Sequence, residues 1–164
     1  MLTSSQLLTL KAAIAAESDQ ELVSLRDSGA TGAMAEWYNR PSTAVVWKTL
    51  LTEHQITGEV SPSGTTWSWT AYIARSEPER SAWGRMFNGT YTINPSLPQV
   101  RTGITDIFSG GTGAAQRAHL LAMGKRFAKR GEALFASGLK TDVEPGTLVL
   151  EGNITSDDIV MAIS

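Results

Sequence analysis

The chain has 164 residues, 41% of them hydrophobic and 18% charged, with 14 Lys and Arg against 16 Asp and Glu and no cysteine. That length suffices for a core without cross-links, and the missing cysteines exclude disulfides and thiolate metal sites. The opening MLTSSQLLTLKAAIAAESD has no basic segment ahead of its apolar residues, and no apolar run reaches the roughly 18 residues that cross a bilayer, so a soluble, unsecreted protein with no membrane partner is expected.

Thr3-Ser4-Ser5-Gln6 has the spacing of a capping box, in which hydroxyl and amide satisfy the open N–H groups at a helix start. Leu7, Leu10 and Ile14 follow at helical spacing, giving a helix to about Glu17. A second helix is expected after Ser18-Asp19, with Leu22, Val23 and Leu25 apolar and Gly29 and Gly32 interrupting it. A short helix over 33–38 then stops at Asn39-Arg40-Pro41. STAVVWKT, residues 42–49, is β-branched, aromatic and bounded by proline, which predicts a strand. Residues 50–66 show no clear period, SPSGTT at 61–66 is a loop, and Trp67 and Trp69 share a face only if TWSWTAY is extended. Ser76-Glu77-Pro78-Glu79 is a second capping box, opening a helix through Trp83, Met86 and Phe87 that Asn88-Gly89 ends. Ser96-Leu97-Pro98-Gln99 repeats the device, and Val100, Ile104, Ile107 and Phe108 then mark one buried face before the Ser109-Gly110-Gly111 stop.

The longest helix is expected from about Gly113 to Ser137, because Leu120, Phe127 and Leu134 recur every seven residues with Gly124 and Gly131 in the same stripe. Glycine inside a helix costs up to about 1 kcal/mol against alanine, so two of them on a packing face imply close approach of another helix. After Gly138 the chain is loop; TLVLEG at 147–152 reads as a strand, and Thr155 or Ser156 caps a last short helix with Asp157 and Asp158 at its positive end. Two isolated strands cannot stand alone, so they pair with each other or with a neighbouring subunit. The expected fold is mainly α: a small helical bundle with one long central helix and two short strands. It forms a single helical domain over residues 1–164, with a C-terminal extension from about 138.

Chemical motifs are sparse. In FSGGTGAAQRAHLLAMGKR, residues 108–126, the glycines suggest a phosphate loop, but Ala114-Ala115-Gln116 stands where the lysine should be, and the turn follows a helix rather than a strand. A glycine cap before a helix accounts for the same residues. With only His54 and His119, and no HExxH spacing, metal and nucleophile chemistries lack their parts, and His119 is expected to be a packed or surface histidine. The carboxylate pairs Glu77 with Glu79 and Asp157 with Asp158 fall in first helical turns, where capping accounts for them. No catalytic, cofactor or metal site is therefore expected, and the chain is read as not an enzyme. The acceptor patterns Asn88-Gly89-Thr90 and Asn153-Ile154-Thr155 carry no modification in an unsecreted protein.

Charge is distributed in blocks. Residues 1–74 carry 4 Lys and Arg against 7 Asp and Glu, residues 75–130 carry 9 against 3, and residues 131–164 carry 1 against 6. Within the basic block Lys125, Arg126, Lys129 and Arg130 form two i, i+4 pairs, which on a helix share one broad face and repel by a few tenths of a kcal/mol, about 0.2–0.5 each. That face is either simply solvated or meets a DNA backbone or an acidic partner, and no helix-turn-helix, zinc finger or RNP pattern points to sequence-specific recognition.

As a whole the chain resembles a group of small virion-associated proteins encoded among the head and tail genes of tailed double-stranded DNA bacteriophages and prophages. The segments that carry the resemblance are LTSSQLLTLKAAIAAESD, AEWYNRPSTAVVWKT, VRTGITDIFSG, KRGEALFASG and PGTLVLEGNITSDDIVMAI, which cover nearly the whole chain in order. The resemblance implies a head-to-tail connector, or adaptor. Such a subunit docks below the portal in a ring of typically about twelve copies and extends the DNA channel. Its partners would be further copies of itself, the portal protein, a downstream neck or tail protein, and packaged DNA by nonspecific contact. It would be made in the host cytoplasm and reside in the neck of the virion. Two other roles stay open: another virion component, such as a capsid decoration or tail-completion protein, and a nonspecific DNA-binding protein.

Overall fold

Helices start where capping chemistry places them. In the computed structural model, which describes residues 1–87 and 89–164, the Thr3 hydroxyl accepts from the Gln6 N–H at 3.3 Å and the Gln6 side chain accepts from the Thr3 N–H at 2.9 Å, opening α1 (Ser4–Ala16). Asp19 caps α2 (Gln20–Asp27) through the Glu21 N–H. α3 (Thr31–Asn39) ends one residue before β1 (Pro41–Trp47). β2 (Leu51–Thr52) leads into α4 (Glu53–Gly58) and Ser68 caps α5 (Trp69–Ile73). α6 (Glu77–Met86) opens on the Ser76–Glu79 capping box with Pro78 in its first turn. β3 (Thr92–Ile93), α7 (Pro98–Ile107), α8 (Gly110–Met123), β4 (Lys125–Lys129), α9 (Arg130–Phe135) and α10 (Ser156–Ile163) complete the order. The protein is mainly helical, as expected.

The chain gathers into two compact units: Met1–Val46 with Phe127–Ser164, and Trp47–Arg126. In the first, α10 packs on α3 and α1, and α3 also meets α2 and α9. Its core holds Leu10, Ile14, Leu22, Met34, Trp37, Ile154 and Ile159. Residues 138–164, expected as an extension, pack inside this unit: Asn39 donates to the Ile154 carbonyl at 2.8 Å and accepts from the Ile154 N–H at 2.9 Å. In the second unit α6 packs on α7, and α4, α5 and α7 on α8, while β2 pairs antiparallel with β3 in the register Leu51 to Ile93 and Thr52 to Thr92. Its core is aromatic, built from Trp67, Trp83, Phe87 and Phe108 with Ile56, Ile104, Leu120 and Met123.

The expected long helix over 113–137 is absent; that stretch is α8, β4 and α9. Gly124 is the break. It caps α8 through its N–H to the Leu120 carbonyl, and its own carbonyl accepts from the Lys48 N–H at 2.8 Å. A Cβ there would sit 2.9 Å from the Pro95 ring, so the close approach implied by the glycine is to a proline rather than to a helix. The next five residues pair with β1. The seven-residue repeat was coincidental: Leu120 lies in one core, Leu134 packs against another, and Phe127 is 66% exposed on the strand.

The expected strand at 147–152 forms only bridges, Ser137 to Thr147 and, beside it, Val46 to Gly146. β1 pairs instead with β4. The Val45 N–H donates to the Lys140 carbonyl at 2.8 Å and its carbonyl accepts from Gly146 at 2.9 Å, so the 140–146 turn occupies the place where a strand pair would continue. Ser96 does not cap α7; it bonds Asn94, and Pro98 opens the helix without a side-chain cap. The expected stop at Asn88 lies outside the described residues.

Thr155 caps α10 in a box with Asp158, which is buried and accepts from the Leu2 N–H at 3.0 Å and from the Thr155 N–H and hydroxyl at 2.9 and 2.6 Å. Burial pushes its pKa up, but the bonds from Thr155 and Leu2, with the N-terminal ammonium, outweigh it and hold the carboxyl below the ordinary aspartate range. A carboxyl whose folded pKa is depressed contributes stability that is whole above the unfolded value and lost as pH falls through the folded one. Asp158→Asn is therefore expected to cost about 1–3 kcal/mol at neutral pH by facing an amide donor toward buried donors. Urea unfolding followed by circular dichroism should show the gap to the parent chain narrowing as pH falls through and below the ordinary aspartate range.

Candidate interaction surfaces

The four basic residues singled out by spacing do not share a helix face. Lys125, Arg126 and Lys129 lie on β4, where alternation places Lys125 and Lys129 with exposed Phe127 and places Arg126 with fully buried Ala128; Arg130 opens α9. In the second unit the Lys125 ammonium lies 5.9 Å above the Trp47 ring. Burial holds the Lys48 ammonium below its ordinary pKa, with Glu59 acting upward and Arg126 downward. In the first unit Lys129 donates to Asn153 Oδ1 at 2.6 Å, and the Arg130 guanidinium stacks 3.9 Å over the Trp37 ring.

Four more arginines of the basic block are also used internally, while Arg85 is exposed. Arg75 donates to the Ser109 carbonyl and the Thr112 hydroxyl, Arg80 to the carbonyls of Ile73 and Arg75, Arg101 to those of Pro95 and Ser96, and Arg117 to that of Phe108. Each ties down carbonyls in turns and helix ends of a unit with short helices, a sufficient reason for arginine at these positions. Arg101 also lies 4.6 Å over the Trp47 ring.

The glycine turn is a helix junction. α8 begins at Gly110, directly after α7 and Phe108-Ser109, with Gly113 inside its first turns; a Cβ on Gly113 would collide with the Phe108 carbonyl, which explains glycine there. On the inner face of α8, Gln116 and His119 are both buried, three residues apart, in line with Leu120 and Met123. Gln116 Oε1 accepts from the Ser68 N–H at 2.9 Å. His119 Nε2 lies 2.8 Å from the Ile56 carbonyl, and its Nδ1 lies 3.1 Å from the Thr65 carbonyl and 3.2 Å from the Thr65 hydroxyl. These side chains fasten α4 and the 61–68 loop to α8. Of the two expected places for His119, packed or surface, the structure shows the packed one; Gln116 was missed, because its partner is 48 residues away and a lone glutamine in a helix carries no signal.

Apolar side chains are exposed in several places. Val143 is 89% exposed, Leu8 69% and Ile73 65%, and Trp69 and Tyr91 stand out as well. In the first unit a groove of about 280 Å³ runs between α1 and α10, lined by Ser4, Leu7, Leu8, Lys11, Met161 and Ala162. In the second, an open depression of about 430 Å³ lies along α6. Among the described residues no cluster of three His, Asp or Glu is placed to hold a metal ion, and no helix is long and apolar enough to cross a membrane. No protein family, no curated protein and no solved structure matches the chain.

Proposed function

We propose that this chain is a structural subunit of a tailed-phage virion, a head-to-tail connector that forms a ring below the portal and extends the DNA channel. The observation that carries this reading is the exposure of large apolar side chains on α1, α10 and the 139–149 segment while the core beneath them is already complete. Contiguous apolar surface marks sites of association between proteins, and Leu7, Leu8, Met161 and Ala162 adjoin in one groove. The ordered resemblance to virion proteins supplies the setting.

The internal use of the arginines speaks against nonspecific DNA binding as the main role. Titration with duplex DNA is expected to show weak binding that alanine replacement of Lys125, Arg126, Lys129 and Arg130 leaves within about twofold, since binding that rests on four phosphate contacts would fall steeply with their loss. Imaging of particles that carry the chain is expected to place it at the portal vertex. Density elsewhere on the capsid or tail would assign it to decoration or tail completion instead.

A further inference from the structure

The proposed ring needs a contact that repeats from copy to copy, and the first unit carries two features that fit each other. The groove between α1 and α10 has an apolar floor of Leu7, Leu8, Met161 and Ala162, and Lys11 is the one charged residue in its lining. α1 contains no acid, so no carboxylate on that helix offsets Lys11. The second feature is the 141–144 turn. Thr141 donates its N–H to the Glu144 carbonyl at 3.1 Å and accepts from the Glu144 N–H at 3.0 Å, and Val143 is presented at its apex. Asp142 and Glu144 flank it.

This turn is held at both ends. Lys140 and Gly146 are bonded to the two sides of Val45 on β1, and the Lys140 ammonium donates to the Ala136 carbonyl at 3.3 Å. A knob fixed in this way loses little conformational freedom on binding. It offers an apolar tip between two carboxylates, and the groove offers an apolar floor beside an ammonium.

We propose that the groove between α1 and α10 receives the Asp142-Val143-Glu144 turn of a second copy of this chain. Knob and groove are different surfaces, so the contact is head-to-tail, the kind that closes into rings when the rotation between copies allows it. The apolar tip supplies the affinity and the charges set the register. This inference rests on the connector reading for its biological setting, but the contact itself is tested without a particle.

The absence of native cysteine makes the test direct. Full-length Leu8→Cys and Val143→Cys chains, both altered at exposed positions, are mixed at high concentration, oxidised and run on a non-reducing gel. A disulfide dimer is expected in the mixture at tenfold or more over either chain alone, and the chain carrying both substitutions should give a ladder. Lys11→Glu should reduce the yield severalfold, and pairing it with Asp142→Lys and Glu144→Lys in the Val143→Cys chain should restore it. Equal dimer formation by Leu8→Cys alone would mean that the groove meets its own copy in a two-fold contact, and no dimer above background would mean that something else fills it; either result overturns the proposal. A failed cross-link with the chain still found in a neck ring would reject this contact and leave the connector reading standing. A ladder from a chain found elsewhere in the particle would do the reverse.

Discussion

Trp83→Ala is expected to lower the stability of the second unit by about 3–5 kcal/mol, the range for truncating a buried aromatic. Trp83 is 3% exposed and sits at the centre of the aromatic cluster. It stacks on Trp67 with ring centroids 5.5 Å apart and meets Phe87 and Phe108 edge-on at 4.9 and 5.5 Å. Such pairs contribute about 0.5–1.5 kcal/mol each beyond the area they bury. Their sum is not additive, because the rings share neighbours. The control is Trp69→Ala. Trp69 is 56% exposed and its ring pairs among the described residues are edge contacts to Trp67 at 5.6 Å and Tyr72 at 5.9 Å, so its removal should cost about 1 kcal/mol or less. Urea unfolding read by tryptophan fluorescence suits the comparison, since Trp47, Trp67, Trp69 and Trp83 all lie in the second unit. Equal losses from the two substitutions would show that the stack is not where that unit's stability resides.

The parts of this fold that were legible in the sequence are those whose chemistry is local. Thr3 with Gln6 and Ser76 with Glu79 satisfy N–H groups three residues away, and each starts a helix where that spacing says it should; of the two caps expected for the last helix, Thr155 is the one used, in a box with Asp158 that was not expected. What could not be read depends on residues far along the chain. Gly124 looks like a mid-helix glycine until the Lys48 N–H is seen to take its carbonyl and Pro95 to stand against its Cα. The 147–152 segment has strand composition, but the Lys140 to Gly146 turn already occupies β1. At the candidate surface the four basic residues were identified by position but given the wrong geometry, because a strand turns alternate residues to opposite faces where a helix gathers every fourth one. The charge blocks, by contrast, have a structural correlate: the second unit holds 8 Lys and Arg against 5 Asp and Glu, the first 6 against 11. The acidic excess of the first unit includes the two carboxylates on either side of Val143, and the basic excess of the second is largely arginine tied to carbonyls.

His119→Leu is expected to cost about 2–4 kcal/mol although leucine fills a similar volume in a fully buried place. Both ring nitrogens face a carbonyl, Nε2 that of Ile56 at 2.8 Å and Nδ1 that of Thr65 at 3.1 Å, with the Thr65 hydroxyl 3.2 Å from Nδ1, so a ring N–H on either nitrogen has an acceptor waiting. Leucine leaves the Ile56 carbonyl and the Thr65 hydroxyl without this partner, while alanine adds a cavity to the same loss and should cost more. The loss should also have an address. The Ser61 N–H donates to the Thr65 carbonyl at 2.8 Å and the Thr65 N–H to the Ser61 hydroxyl at 3.1 Å, so this loop is closed on itself and fastened to α8 through the imidazole. Hydrogen exchange in His119→Leu should therefore quicken at the Ser61 and Thr65 amides well beyond any change at the amides of α6. His119→Gln places an amide N–H near the position of Nε2, and it should recover part of the stability while leaving the Thr65 side loose. A uniform rise in exchange across the second unit, with no difference between leucine and glutamine, would reduce His119 to a packing residue and leave the 61–68 loop to be held by Gln116 alone.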